Sequence, residues 1–504
     1  MKKHLFGIVA AGLCLSLALT GCQSVVTAGS VAQSAPVATA TPRAEGTLTL
    51  ACTSAGFNPY IASDMLVQQN WMLLFEPLVA VTPDMDIDYR LAQSVDSSGT
   101  LVTIQIRSGC YFSDGTEVTA EDAAASLNAA RTGGSYTGRF ANVTDVSVQG
   151  SAVVVALTEP DSLFTYLLDI PVMKAGEVAL AQPTASGRYT YGSDGASLVQ
   201  NPRASAFDGP AAIQLTTVSS ADALISGVAR GEISLYAESG GSSDSSSINT
   251  SETYYRTDSL IFAGINSYSA NWLCSTVPGR QLLSTLCDRS SIAGKALGGR
   301  AYAATGIING YYPCVKGRQV ILSSDDSSTL ESVMAGAGYT RADASGFYKD
   351  ARGNEAYVRL LVYSATSDRR AIAAQLQEQW QAAGIRVDIT EQSDRDIYLQ
   401  TVQSGDFDLY IGEVKLYNNM DLSPFWAGEA HWGLAPSDTL LAAYSAFRQN
   451  AGNAEGLEAA FAAEMPFLPL VWHNGTVVAS RRVSGIGASI SSPFYSLSGL
   501  QVSS

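Results

Sequence analysis

The stretch from Tyr357 to Ile389 restricts the fold more than any other. Tyr357 to Tyr363 is apolar-rich and short, which predicts a strand, and Arg369 to Ala383 predicts a helix. Ile372, Leu376 and Trp380 recur every four residues and give that helix one apolar face. Gly384 follows as the helix terminator, because glycine enters the left-handed region without a Cβ clash. Ile385 to Ile389 predicts the next strand. Strand, helix and strand joined this closely return to one sheet as a parallel pair. The body is therefore mixed α/β, not a helical bundle or an antiparallel sandwich. Phe407 to Glu413 predicts a further strand of the same sheet.

The N-terminal half carries local signals of its own. Thr47 to Leu50 alternates like a strand, and Gly56-Phe57-Asn58-Pro59 reads as a loop. A helix is predicted over Met65 to Phe75, broken by Glu76-Pro77-Leu78-Val79, which starts a strand. Leu101 to Arg107 has period-2 alternation and is entered by the turn Ser97-Ser98-Gly99-Thr100. Thr119 is placed to cap an Ala-rich helix, with Asp122 three residues on to reach back to it. That helix is predicted to end near Arg131, at Gly133-Gly134. Val143 to Leu157 reads as a hairpin around Gln149-Gly150-Ser151, and residues 239–251 as a polar loop.

Composition excludes several function classes. With 504 residues, 46% of them apolar, the chain has enough material for sizeable cores, so wholesale disorder is out. A net charge of −16 argues against nucleic acid, whose phosphates call for Lys and Arg. The one hydrophobic segment, Leu5 to Leu19, follows Lys2 and Lys3 and is short for a membrane span, as a secretory signal is. It ends in Leu19-Thr20-Gly21-Cys22, which resembles the bacterial lipobox, so residues 1–21 are expected to be removed and Cys22 lipidated. Residues 22–46 are Ala, Ser, Thr, Val, Gln and Pro with almost no charge. They read as a tether whose coil reaches on the order of 25–30 Å. The expected location is outside the cytoplasm, held to the cell membrane by lipid. Cys52, Cys110, Cys274, Cys287 and Cys314 remain, an odd number without CxxC, so neither a disulfide framework nor a zinc site is expected.

The order of motifs then resembles one family. Asn58-Pro59, Glu76-Pro77-Leu78-Val79 and Leu91-Ala92-Gln93-Ser94 are followed by Ile106-Arg107-Ser108-Gly109 and Phe112-Ser113-Asp114-Gly115-Thr116, then Thr119-Ala120-Glu121-Asp122. This is similar to the "LR.G..FSDGT..TAED" signature of the family 5 extracellular solute-binding proteins, the oligopeptide, dipeptide and nickel-binding components of ABC importers. Ser186 to Tyr189, Gly231 to Leu235, Ala383-Gly384-Ile385 and Gly405-Asp406-Phe407-Asp408 echo the family in the right order. The resemblance implies a two-lobed, periplasmic-binding-protein-like α/β fold with discontinuous lobes and a small inserted β-rich domain. By that analogy lobe one is 47–79, 181–263 and 474–504, the inserted domain 80–180, and lobe two 264–473. It further implies a solute bound between the lobes, an ABC permease as partner, a monomer, and no cofactor.

The residues give catalysis little to work with. Only His431 and His473 follow the signal, and no GxSxG, P-loop or HExxH occurs, so no enzyme activity and no metal site is expected. In peptide-binding relatives an Asp on the loop after the "GDFD" strand captures the ligand's ammonium. Asn418 stands in that place here, which leaves Asp421 or Glu413 to substitute. Asp421 also reads as a cap for the segment after it. Lys415 is the candidate for a ligand carboxylate, and Tyr417, Trp426 and Trp272, with Phe425, are candidate pocket aromatics. A short peptide is the expected ligand. An oligosaccharide, a modified peptide, or a surface sensor without transport are the alternatives.

Overall fold

The computed structural model describes residues 46–238, 249–266, 268–321, 327–341, 346–426 and 433–503. The signal, Cys22, the tether, residues 239–248 of the polar loop and His431 lie outside them. No helix among the described residues is long and apolar enough to cross a membrane.

The expected α/β unit is present in full. Strands Tyr357–Tyr363 and Arg386–Gln392 pair in parallel over seven positions, from Tyr357 with Arg386 to Tyr363 with Gln392. The intervening helix runs Ser367–Ala382 and buries Ile372, Leu376 and Trp380, as its periodicity requires. It starts two residues earlier than predicted, which puts Asp368 in the first turn, where a carboxylate complements the helix dipole. Its end is a Schellman motif. The Gly384 amide donates to Gln381 O and the Ile385 amide to Trp380 O, both at 2.9 Å. Gly384 has φ +87°, and a Cβ there would lie 2.9 Å from Gly346 O, so glycine is required. The third parallel strand is Leu409–Lys415, two residues later than predicted.

These strands form one end of an 11-stranded sheet. From that edge the order is Arg386–Gln392, Tyr357–Tyr363, Leu409–Lys415, Thr250–Ile265, Phe467–Ser480, Leu235–Glu238, Leu48–Cys52, Ala212–Thr217, Ser197–Gln200 and Tyr189–Tyr191, and the eleventh strand, Ala301–Ala303, pairs with Phe467–Ser480 off this path. The two long antiparallel strands at its middle hold the halves together. Ser259–Ile265 pairs on one side with Leu409–Lys415, whereas Thr476–Ala479 pairs with Leu235–Glu238 on the other. A bulge between Arg256 and Ser259 marks the change-over. Bulges bend a strand, so the sheet is jointed at this point.

A separate antiparallel sheet of four strands, Ala92–Ser98, Leu101–Ile106, Ala152–Leu157 and Val143–Gln149, covers the helix Ala120–Thr132. The predicted capping box is complete: Asp122 accepts from the Thr119 amide and Thr119 Oγ1 accepts from the Asp122 amide. Ile104, Leu127 and Val155 of this layer share a core with Leu50 and Ile213 of the large sheet and with Trp71 and Phe75 of the helix Met65–Leu74 and its end. A second core, with Leu283, Leu376, Trp380 and Leu409, lies at the parallel end. A third, with Phe262, Tyr312, Phe461 and Trp472, also takes in Met85 and Tyr166. The mixed α/β, two-lobed class expected from the sequence is the class observed. The five cysteines among the described residues are free, and Cys274 and Cys287 are buried as small hydrophobes.

Candidate functional site

Where the sheet is jointed, a cleft of about 430 Å³ opens between the helix Met65–Leu74 and the loop that follows Lys415. That volume suits a small ligand. Gln68 and Trp71 of the helix face it from one side, and Lys415, Tyr417 and Asn418 from the other. Arg139 and Asp169 close one end, and Ser489 to Pro493 another.

The helix presents this face because Asp64 caps it, accepting from the Leu66 amide at 2.8 Å. Gln69 then fixes the neighbouring strand Leu235–Glu238, donating to Ala237 O at 2.7 Å and accepting from its amide at 3.0 Å. Arg139 sits in a short 3-10 helix, Gly134–Phe140, which the predicted helix end at Gly133 sets up. Its guanidinium forms an ion pair with Asp169 and donates to Tyr166 O at 3.2 Å. Burial lowers its pKa to about 10. Asn418 is buried, and its Nδ2 donates to Asp169 Oδ2 at 3.1 Å, as does Ser491 Oγ at 2.8 Å. The loop residue thus brings an amide rather than a charge, and the carboxylate beside it already belongs to an arginine.

Lys415 is open to the cleft and has no ion-pair partner among the described residues. Protein packed around its stem lowers its pKa, Asp258 pulling the other way. Asp258 lies fully buried behind it, accepting from Tyr312 Oη at 2.6 Å and Asn309 Nδ2 at 2.8 Å, and burial raises its carboxyl to about 6. With Arg139 and Asp169 cancelling, the residues that line the cleft carry a net positive charge, with Asp258 as the buried counter-charge behind Lys415.

Five residues expected at the site, Glu413, Asp421, Phe425, Trp426 and Trp272, are absent from this lining. Asp421 Oδ1 accepts from the Ser423 amide at 3.0 Å and from Tyr444 Oη at 2.6 Å, so it holds the turn into Ser423–Phe425. Trp426 stacks edge-on against Tyr444, 5.0 Å between centroids. Trp272 packs on Tyr339 at 5.7 Å, beside Asn271, which donates to Tyr357 O at the start of its strand. Leu409 pairs with Leu360, so Lys415 lies roughly 30 Å along the strands from Tyr357, and Trp272 is at their opposite end. Phe425 stacks on Phe467 in the third core. Arg139, Asp169 and the 489–493 loop were not singled out by sequence reasoning. With only 30 Lys and Arg in the chain, a basic residue just after the Gly133-Gly134 break was the available signal for Arg139.

Next to the joint lies a buried charge cluster. His473 Nδ1 is hydrogen-bonded to Glu413 at 3.2 Å and its Nε2 is 3.3 Å from Asp368. Arg300 pairs with Asp368 at 2.5 Å and Arg369 with Glu413 at 3.5 Å. Burial pulls the imidazole's pKa down, but the two carboxylates outweigh it and raise it to about 9. Burial likewise opposes ionisation of Glu413, and His473, Ser259 and Arg369 bring it to about 2 all the same. Among the described residues no group of three His, Cys, Asp or Glu is arranged to hold a metal ion.

A family model, bacterial extracellular solute-binding proteins, family 5 Middle, matches residues 86–428. A comparison with curated proteins finds no match. Among solved structures, the fold is similar to a nickel ABC transporter protein from Bacillus halodurans, with TM-score 0.69 and 17% identity, covering 89% of this chain and 98% of that one. An ABC transporter substrate-binding protein from Sinorhizobium meliloti gives TM-score 0.68 at 17% identity, covering 91% and 100%. The oligopeptide-binding protein AppA of Bacillus subtilis, solved with a nonapeptide, gives 0.54 at 17%, covering 92% and 100%.

Proposed function

The chain belongs to family 5 of the bacterial extracellular solute-binding proteins, and from that premise we propose a lipid-anchored receptor that hands a small solute, best read as a short peptide, to an ABC permease. It performs no chemistry on its ligand. Residues 47–79, 181–263 and 474–504 make lobe one, 80–180 the inserted domain and 264–473 lobe two. Support for this division comes from the two sheet halves, whose strands among the described residues are joined through Thr250–Ile265 and Phe467–Ser480. Ligand contacts to both sides would shift the population toward the closed form by rotation at the joint.

The observation that carries the ligand reading is the unpaired Lys415 in a cleft of net positive charge. Such a site selects an anionic end, so the peptide is held by its C-terminal carboxylate and not by ammonium capture at position 418. Asn418 offers that ammonium no charge, and Asp169 is occupied. The same positive cleft favours, as a second reading, a carboxylate-bearing metal chelate, since the described residues supply no metal ligands of their own. Mass spectrometry of the solute that co-purifies separates the two. Calorimetric titration then tests the contact. Amidating the ligand's carboxylate, or Lys415→Met, should each weaken binding roughly ten- to a hundredfold, and the losses should not add. Full affinity for the amide together with loss on acetylating the amine would overturn this orientation.

A further inference from the structure

The strongest sequence signature does not face the cleft. Arg107, Gly109, Cys110 and Tyr111, from the stretch that runs into Phe112-Ser113-Asp114-Gly115-Thr116, line a different cavity of about 730 Å³. Its other walls come from residues 186–188, 203–208 and the C-terminal segment 495–498, and it shares no residue with the cleft. The volume is within the range of small-molecule sites.

Four guanidinium groups surround this cavity, those of Arg90, Arg107, Arg188 and Arg203, against the carboxylates of Glu76, Asp88 and Asp208. The carboxylates are unequally free. Arg90 lies 3.5 Å from Glu76 and 2.8 Å from Asp88, and Tyr495 Oη donates to Asp88 at 3.0 Å. That leaves Asp208 as the one carboxylate of the lining without a described partner. Arg188 donates to Phe494 O at 3.3 Å and Tyr495 O at 2.8 Å, and it shares the field of Glu76 with Arg90. Arg107 likewise donates to the backbone carbonyls of Tyr89, Arg90 and Ala92 and keeps its charge. Arg203 leans over the Ser113-Asp114-Gly115 turn, its guanidinium 3.3 Å from where a Gly115 Cβ would stand, and it meets no described acid. The lining therefore sets four guanidinium charges against three carboxylates, a net charge of +1 in a chain of net charge −16, and Arg107 and Arg203 form no ion pair among the described residues. Tyr89, Tyr111 and Phe207 add apolar surface between them.

We propose that this cavity is a second ligand site, for a small solute bearing oxyanion groups, read by Arg203 and Arg107 and independent of the interlobe cleft. Guanidinium forks suit carboxylate and phosphate oxygens because two N–H groups meet two oxygens at once. Neutral or cationic solutes would leave the arginines uncompensated. The four fixed hydrogen bonds of Arg90 and Arg188 hold the wall in place before the ligand arrives.

Calorimetric titration with citrate and with pyrophosphate at constant ionic strength tests this on the whole exported chain. At least one should bind with one-to-one stoichiometry. Arg203→Gln should weaken it tenfold or more, and Asp208→Asn, which removes the opposing carboxylate, should tighten it several-fold. Lys415→Met in the cleft should leave it unchanged, and Arg203→Gln should leave the cleft ligand's affinity unchanged. Absence of binding by both anions, equal affinity in the Arg203 and Asp208 variants, or loss on Lys415→Met would overturn the proposal.

Discussion

Replacing His473 with Gln should remove a pH dependence that the wild-type protein shows. The imidazole is 2% exposed and lies between Glu413 and Asp368. Its folded pKa of about 9 stands above the ordinary 6.5, so the charged ring stabilises the fold. Each pKa unit is worth 1.36 kcal/mol, so the shift corresponds to roughly 3 kcal/mol. Because the pKa is raised, that stabilisation is complete below pH 6.5 and is lost as pH rises toward 9. Glu413 is depressed from 4.5 to about 2, so its share is present above pH 4.5 and is lost as pH falls toward 2. The two are the same contacts seen from either end, and they leave a window of greatest stability between pH 4.5 and 6.5. His473→Gln should unfold at lower urea at pH 6, and its stability should stay flat from pH 6.5 to 9, where the wild type declines. Urea unfolding read by tryptophan fluorescence is suitable, since Trp380 of the helix Ser367–Ala382 and Trp472 of the strand Phe467–Ser480 are both buried. A wild-type curve that is flat from pH 6.5 to 9, or a variant that keeps the decline, would refute the reasoning.

Two other perturbations test the local readings. Thr119→Ala should cost about 1 kcal/mol by removing one arm of the capping box, and Asp122→Ala should cost more, because Asp122 Oδ1 also accepts from the Ala175 amide at 2.9 Å; urea midpoints rank the two. Cys22→Ala should release the protein from the membrane fraction or leave it unprocessed, and unchanged retention on fractionation would sink the lipid anchor.

What was legible in the sequence was local. The capping box at Thr119 and Asp122, the apolar face of Ile372, Leu376 and Trp380, and the Gly384 terminator each depend on residues within one or two turns, and each fold as read. Strand ends moved by two residues at Leu409 because pairing with neighbouring strands, not composition, sets them. The cleft was legible only where it belongs to the loop after Lys415. Asn418 meets Asp169 across 249 residues of sequence, and no local pattern encodes such a meeting. Aromatic residues misled for a related reason. A tryptophan near an expected pocket and one packed on a tyrosine have the same sequence signature, and Trp272 and Trp426 are of the second kind. Asp421 in Asp-Leu-Ser-Pro carried its turn-forming role openly, and the turn is what it forms.

Scarcity of positive charge links the two candidate sites. Several of the chain's few arginines act as internal struts: Arg280 donates to the carbonyls of Cys274, Glu464 and Met465, and Arg289 to those of Pro469 and Ser284. Such an arginine satisfies buried carbonyls and gives nothing to a ligand. Lack of a partner is not sufficient either, because Arg370 and Lys295 stand exposed on helices, where water screens them. Lys415 and Arg203 differ from both kinds. Each lies in a concave wall beside further basic groups, with the nearby acids already taken or outnumbered. Concave, low-dielectric walls focus the field of such charges on whatever enters. In a protein whose surface repels anions as a whole, these two concavities are where an anion would find the potential reversed.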